Sequence, residues 1–125
     1  MSTLTNALDV LTGARFMSLT TYKKNGDAIA TPVLFAREGD RVYLFTLANS
    51  GKVKRIRNNG KVEIAACDSR GTLLSEKVAA QARIVTGDDI KAANKVLNRK
   101  YGLMKRFFDL IQMRRERSYI EVMAT

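Results

Sequence analysis

The stretch "LANSGKVKRIRNNGK", residues 47–61, sets Lys52, Lys54, Arg55, Arg57 and Lys61 behind a turn of small residues, at the start of a helix-like run. Ser50 is placed to cap that helix. The backbone N–H groups of Gly51, Lys52 and Val53 in the first turn would then be free to hold an anion. Cations at this end of a helix oppose its dipole by roughly a few tenths of a kcal/mol, and a bound phosphate reverses the sign of that interaction. With Val53 and Ile56 facing the core, a step of about 100° per residue sets Lys52 beside the apolar face, able to lean over the body of the protein, and points Arg55 toward solvent. The competing explanation of the same charges is a solvated face that serves only solubility.

Other familiar chemistries are missing. The sequence has no histidine, which excludes His-based acid–base work, Ser-His and Cys-His nucleophiles, haem ligation by His and the usual zinc sites. Cys67 is the single cysteine and lies in the apolar run "VEIAACD". It reads as a buried structural thiol, with no internal disulfide and no thiolate metal site open to it. No carboxylate pair suggests glycosidase chemistry, and neither G-x-x-x-x-G-K-[ST] nor G-x-G-x-x-G occurs. An enzyme built from this sequence therefore needs a cofactor to carry the reactive atom. The net charge of +10 calls for an anionic partner, whether nucleic acid, membrane surface or phosphorylated small molecule. Nucleic acid is disfavoured, because Tyr43 and Phe45 lie on an alternating strand that uses them more simply for packing.

The elements that must position these residues are mostly strands. "RFMSLTTYK", "DAIATPVLFA", "RVYLFTL", "KVEIAACD", "KVAAQARIVTG" and "RSYIEVMA" read as short strands by alternation or by β-branched and aromatic content. Asn25-Gly26, Gly39-Asp40, Asn59-Gly60 and Arg70-Gly71 punctuate them, which predicts a mostly antiparallel meander. Helical patterns interrupt it at "TLTNALDVLTG", at "SGKVKRIRNN" and over residues 88–113, the last broken near Gly102. In that segment Ile90, Val96 and Leu97, then Leu103, Phe107, Leu110 and Ile111, form apolar faces at helical spacing and are expected in the core. At 125 residues the chain is expected to form one domain, 1–125, a small barrel with peripheral helices. No apolar stretch approaches the roughly 20 residues of a membrane span, and the N-terminus lacks a signal-peptide layout, so a cytoplasmic protein is expected.

The order "TTYKKNGDAIATPVLFAREGDRVYLFTLANSGKVKRIRNNGKV" resembles the split-barrel flavin-binding family that includes pyridoxamine 5′-phosphate oxidase. It is most similar to the branch of short proteins that use the deazaflavin coenzyme F-420. The likeness runs from about Arg15 to Asp68 and returns at "KYGLMKRFFDL". It implies a mainly β fold, an antiparallel, Greek-key-like split β-barrel of the FMN-binding type, with peripheral helices. It also implies a homodimer with two cofactor sites at the subunit interface, each built from both chains.

Carried over residue by residue, Thr46, Ser50 and Lys52 match the positions that hold the flavin or deazaflavin phosphate, and Gly51 lets the backbone approach it. Lys54 and Arg55 are weaker candidates for the remaining anionic tail. The strand "ATPVLF" matches the segment beside the isoalloxazine ring, so Thr31, Pro32, Val33 and Leu34 would contact it. Pro32 fits a place where a ligand lies against the backbone, and fits equally well as an edge or bulge proline. By the same resemblance "KYGLMKRFF" lies near the site, with Lys100, Tyr101 or Lys105 as candidates to come from the partner subunit.

Pyridoxamine phosphate oxidases carry basic residues on the strand that here reads "ATPVLF" and an Arg-x-His pair near the C-terminus. This chain has neither, which argues against oxidation of pyridoxamine phosphate. The expected activity is instead transfer of hydride between coenzyme F-420, an 8-hydroxy-5-deazaflavin, and an electron-poor small molecule. An FMN-dependent oxidoreductase of the same fold is the runner-up, and a non-enzymatic cofactor- or nucleic-acid-binding module is the third reading.

Overall fold

The computed structural model describes residues 7–111 and 117–125, and side chains for 7–102 and 117–125. A 3-10 turn, Ala7–Leu11, precedes β1 (Phe16–Tyr22), β2 (Ala28–Leu34), β3 (Ala36–Glu38), β4 (Arg41–Leu47), α1 (Gly51–Asn58), β5 (Lys61–Cys67), β6 (Val78–Val85), α2 (Asp89–Ile111) and β7 (Arg117–Ala124). The helical pattern over residues 3–13 is thus a short 3-10 turn within the described residues, and residues 3–6 lie outside them. The seven strands form one antiparallel sheet in the order β2-β1-β5-β6-β7-β4-β3.

The expected meander holds only within the neighbouring pairs β1–β2, β3–β4, β5–β6 and β6–β7. β1 leaves its hairpin to pair with β5, and β4 pairs with β7. Turn residues report where the chain reverses, but α1 carries it away from β4 before β5 begins, and only tertiary packing decides where β5 lands. A second departure is more consequential. "DAIATPVLFA" is not one strand, because β2 ends at Leu34, β3 begins at Ala36, and the two lie on opposite edges of the sheet. Those edges are one residue apart in sequence, so the sheet has to curl until they approach each other. Phe35, 3% exposed, is the corner.

Alternation then fills the inside of the curl. Met17, Leu19, Leu44, Ile64, Ile120 and Val122 point inward, closed by Leu8 and Leu11 of the first turn and by Ile56 of α1. Each such side chain contributes roughly 1.5–3 kcal/mol by leaving water. On the outer face α2 packs Ala93, Val96 and Leu97 against Ala36, Tyr43, Val85 and Tyr119. Ile90, expected in that core, is instead 37% exposed, because it sits in the first turn of the helix, outside the stretch from Ala93 onward that rests on the sheet. Leu103, Phe107, Leu110 and Ile111 lie outside the residues whose side chains are described. The expected break is present at Gly102, whose φ of 45° and ψ of −117° interrupt the helix.

Gly60 ties α1's exit to the sheet. Its carbonyl accepts from the Ala82 N–H at 2.8 Å, and a Cβ added there would stand 2.7 Å from the Ala82 carbonyl oxygen. Backbone cannot yield as a flexible side chain does. Gly60→Ala is expected to cost about 1–3 kcal/mol, read as a lower urea midpoint at unchanged slope; an unshifted midpoint would show the strand ends to be looser than this contact requires.

Candidate anion site at the start of helix α1

β4 ends at Leu47, and the Ser50 N–H donates to the Leu47 carbonyl at 3.0 Å, turning the chain into α1. Ser50 is the N-cap, with extended backbone (φ −66°, ψ 156°) and Oγ accepting from the Val53 N–H at 3.4 Å, so that N–H, expected to be free for an anion, is taken by the cap. Thr46 Oγ1 donates to the same Ser50 oxygen at 3.4 Å. Val53 and Ile56 are buried as expected, which fixes the helix's rotation. The first turn holds no acidic residue.

Lys52 is half-buried as expected beside the apolar face. Burial, and then the neighbouring Arg55, push its ammonium below the usual lysine range, and no carboxylate among the described residues forms an ion pair with it. Arg55 does not point to solvent. Its Nε donates to Thr21 Oγ1 at 2.6 Å, and its Nη1 lies 2.6 Å from where a Cβ on Gly51 would be. A helical-wheel angle describes only the first bond of the side chain, whereas long helical side chains run back over the preceding turn. Here glycine four residues earlier leaves that path open. Thr46, Ser50, Gly51, Lys52 and Arg55 are thereby brought together, whereas Lys54 and Arg57 are exposed.

Arg55 also connects this cradle to the strand expected beside a ring. Thr21 pairs across the β1–β2 hairpin with Ile29, and Leu19 with Thr31. Strand alternation puts Thr31 and Val33 on the more buried face of β2 and exposes Pro32 and Leu34, so a flat ring on either face would meet one of these pairs through side chains. The Thr31 Oγ1 atom is buried without a hydrogen-bond partner among the described residues. β2 is an edge strand, which accommodates the missing N–H of Pro32.

Lys100 and Tyr101 are anchored to their own chain. Lys100 Nζ and Tyr101 Oη donate to the Phe35 carbonyl at 2.6 and 2.5 Å, and Nζ lies 4.1 Å from the centre of the Phe35 ring. Burial pushes the Lys100 ammonium down and the Tyr101 hydroxyl up. Both residues therefore hold the corner at the end of β2. The Lys105 side chain lies outside the described ones. Sequence reasoning missed Thr21, because a threonine in an alternating strand gives no sign that its hydroxyl will meet an arginine.

The sequence matches the family model for pyridoxamine 5′-phosphate oxidase over residues 4–125. No curated protein sequence matches it significantly. Solved structures share its fold. An FAD-binding protein from Mesorhizobium loti aligns at 16% identity with a TM-score of 0.63, covering 93% of this chain and 83% of that one. The heme storage protein HutZ from Vibrio cholerae aligns at 12% identity and 0.67, covering 94% and 86%. A conserved hypothetical protein from Mycobacterium tuberculosis aligns at 21% identity and 0.69, covering 97% and 81%. Among the described residues no helix is long and apolar enough to cross a membrane, and no group of carboxylates or thiols could hold a metal ion. On the match that spans residues 4–125, over a curled antiparallel half-barrel with two helices, this chain belongs to the pyridoxamine 5′-phosphate oxidase family.

Proposed function

We propose that the chain binds the deazaflavin coenzyme F-420 and acts as an oxidoreductase, passing hydride between it and an electron-poor small molecule such as a conjugated enone, a quinone or a nitro compound. The observation that carries this reading is the half-buried Lys52 beside Arg55, two cations held at a helix start with no acidic residue in its first turn. The Gly51 and Lys52 N–H groups, the Ser50 hydroxyl and two cations are a donor set suited to a phosphate. The unpartnered Thr31 Oγ1 offers a hydrogen bond to a polar ring edge beside β2. When bound, the deazaflavin supplies the hydride chemistry. Lys52, Arg55 and Ser50 hold its phosphate, Thr46 fixes the Ser50 hydroxyl that meets it, β2 orients the ring and the surrounding barrel excludes water. With no histidine in the chain, a proton is drawn from solvent.

The field of a +10 chain suits a coenzyme that is phosphorylated and multiply carboxylated. The reading includes a cytoplasmic homodimer with the cofactor sites at the subunit interface. Leu34, Leu73 and Leu74, exposed at 41%, 42% and 66%, offer apolar surface for that contact. FMN is the competing ligand, supported by the FAD-binding protein of the same fold. Haem is a poorer match, since this chain lacks the imidazole that most often ligates its iron.

Fluorescence titration of the purified protein with coenzyme F-420 and, in parallel, with FMN at moderate salt tests the assignment. The expected result is binding of the deazaflavin on the order of micromolar or tighter, with much weaker FMN binding. A preference for FMN would move the protein to the flavin branch, and binding of neither would leave the cradle to another anion.

A further inference from the structure

We propose that Thr21 and Gly51 are positioning residues whose shared task is to hold the Arg55 guanidinium over the first turn of α1, as the second cation of the anion site. The proposal rests on the phosphate reading above. Thr21 is fully buried, and the polarity of its bonds is one-way. Its Oγ1 is within reach to donate to the Ile29 carbonyl at 3.5 Å, which leaves oxygen lone pairs to accept from Arg55 Nε at 2.6 Å. The arginine is thus gripped through Nε, and the terminal nitrogens that would meet a phosphate are not used by this bond. On the other side Nη1 rests where a side chain at position 51 would begin.

A glycine at the start of a phosphate-binding helix is ordinarily explained by close approach of ligand to backbone. Here the volume its missing Cβ frees is taken by the protein's own guanidinium. Pinning a long, flexible cation before the ligand arrives removes ordering cost at the binding step, and it sets Arg55 near Lys52, whose proton affinity burial and then Arg55 depress. Two like charges held this way are relieved by an anion between them.

The test is a set of titrations with FMN and with coenzyme F-420 on the intact chain, the better-binding coenzyme being followed, alongside melting curves. Thr21→Val is expected to weaken binding about tenfold, the loss of a hydrogen bond to a charged group, and Thr21→Ser to restore it. Gly51→Ala is expected to weaken binding by a similar factor while the melting temperature holds or rises, since alanine favours the helix; a purely structural role would lower both together. Because both residues act through Arg55, neither change should add to the loss already caused by Arg55→Met. Unchanged affinity in Thr21→Val, or losses that add to that of Arg55→Met, would overturn the proposal while the phosphate reading stood. Failure of the unaltered chain to bind either coenzyme would overturn both.

Discussion

Arg83→Met lowers the stability of the folded chain by about 2–3 kcal/mol at pH 7, and by much less in acid. Glu121, only 3% exposed, lies on the outer face of β7. Arg83 Nε donates to its Oε1 at 2.9 Å and Arg83 Nη2 to its Oε2 at 3.3 Å, with Arg41 Nη1 also 3.3 Å from Oε2. Burial by itself would raise the carboxyl's proton affinity, but Arg83 and then Arg41 offset it and hold the group below the usual carboxylate range. Methionine keeps much of the packing of the arginine stem and removes the fork. Breaking a buried pair from one side costs about 3–5 kcal/mol; the lower figure applies because Arg41 remains and the Arg83 side chain is 46% exposed.

The sign with pH follows from the depressed value. The stabilisation is fully present above the ordinary carboxylate pKa and is lost as pH falls through the lower folded value. In the variant the carboxyl keeps its burial and loses its main partner, so its proton affinity rises. Urea unfolding of both proteins at pH 7 and near pH 3 should therefore show a gap that narrows in acid. A gap of equal size at both would mean that the arginine's packing, not its charge, was responsible.

Lys52→Ala weakens binding of the phosphorylated coenzyme by about 1.5–3 kcal/mol, the range for a charge-assisted hydrogen bond. The same change leaves the free protein as stable or more so, because it removes a cation that burial and Arg55 already disfavour. The pairing of weaker binding with undiminished stability distinguishes a ligand contact from a packing role. Lys52's lowered proton affinity also predicts that binding falls off, as pH rises, earlier than an ordinary lysine would require. Arg57→Ala is the control, an exposed charge on the same helix. An equal loss there would show that only the general field of the protein matters, and unchanged affinity in Lys52→Ala would remove the phosphate assignment.

Most elements were legible in the sequence because alternation and turn residues are local signals. β4 and β7 match the predicted bounds, and the helix break at Gly102 and the cap at Ser50 fall where glycine and serine indicated. Strand neighbours were not legible. The pattern that puts Leu19 and Leu44 inside says which face each strand buries and nothing about which strand lies beside it. The break at Phe35 was hidden for a related reason: "DAIATPVLFA" stays apolar across the corner, since both edges of a curled sheet need apolar residues there. In the candidate site, Thr46, Ser50, Gly51 and Lys52 followed from helix-start chemistry and family likeness. Arg55's direction did not, because it depends on a space four residues away and on a hydroxyl 34 positions earlier.

The place of β7 in the sheet bears on how the chain folds. Residues 117–124 form the last strand in sequence, yet they lie between β6 and β4, pairing Arg41 with Met123 and Ala80 with Ala124. Until they dock, the β2-β1-β5-β6 group and the β3–β4 hairpin share no strand pairing. Closing a loop from residue 41 to 123 precedes the contacts that reward it, so assembly belongs to the slow class set by distant pairings, milliseconds to seconds, and is completed by its last-made strand.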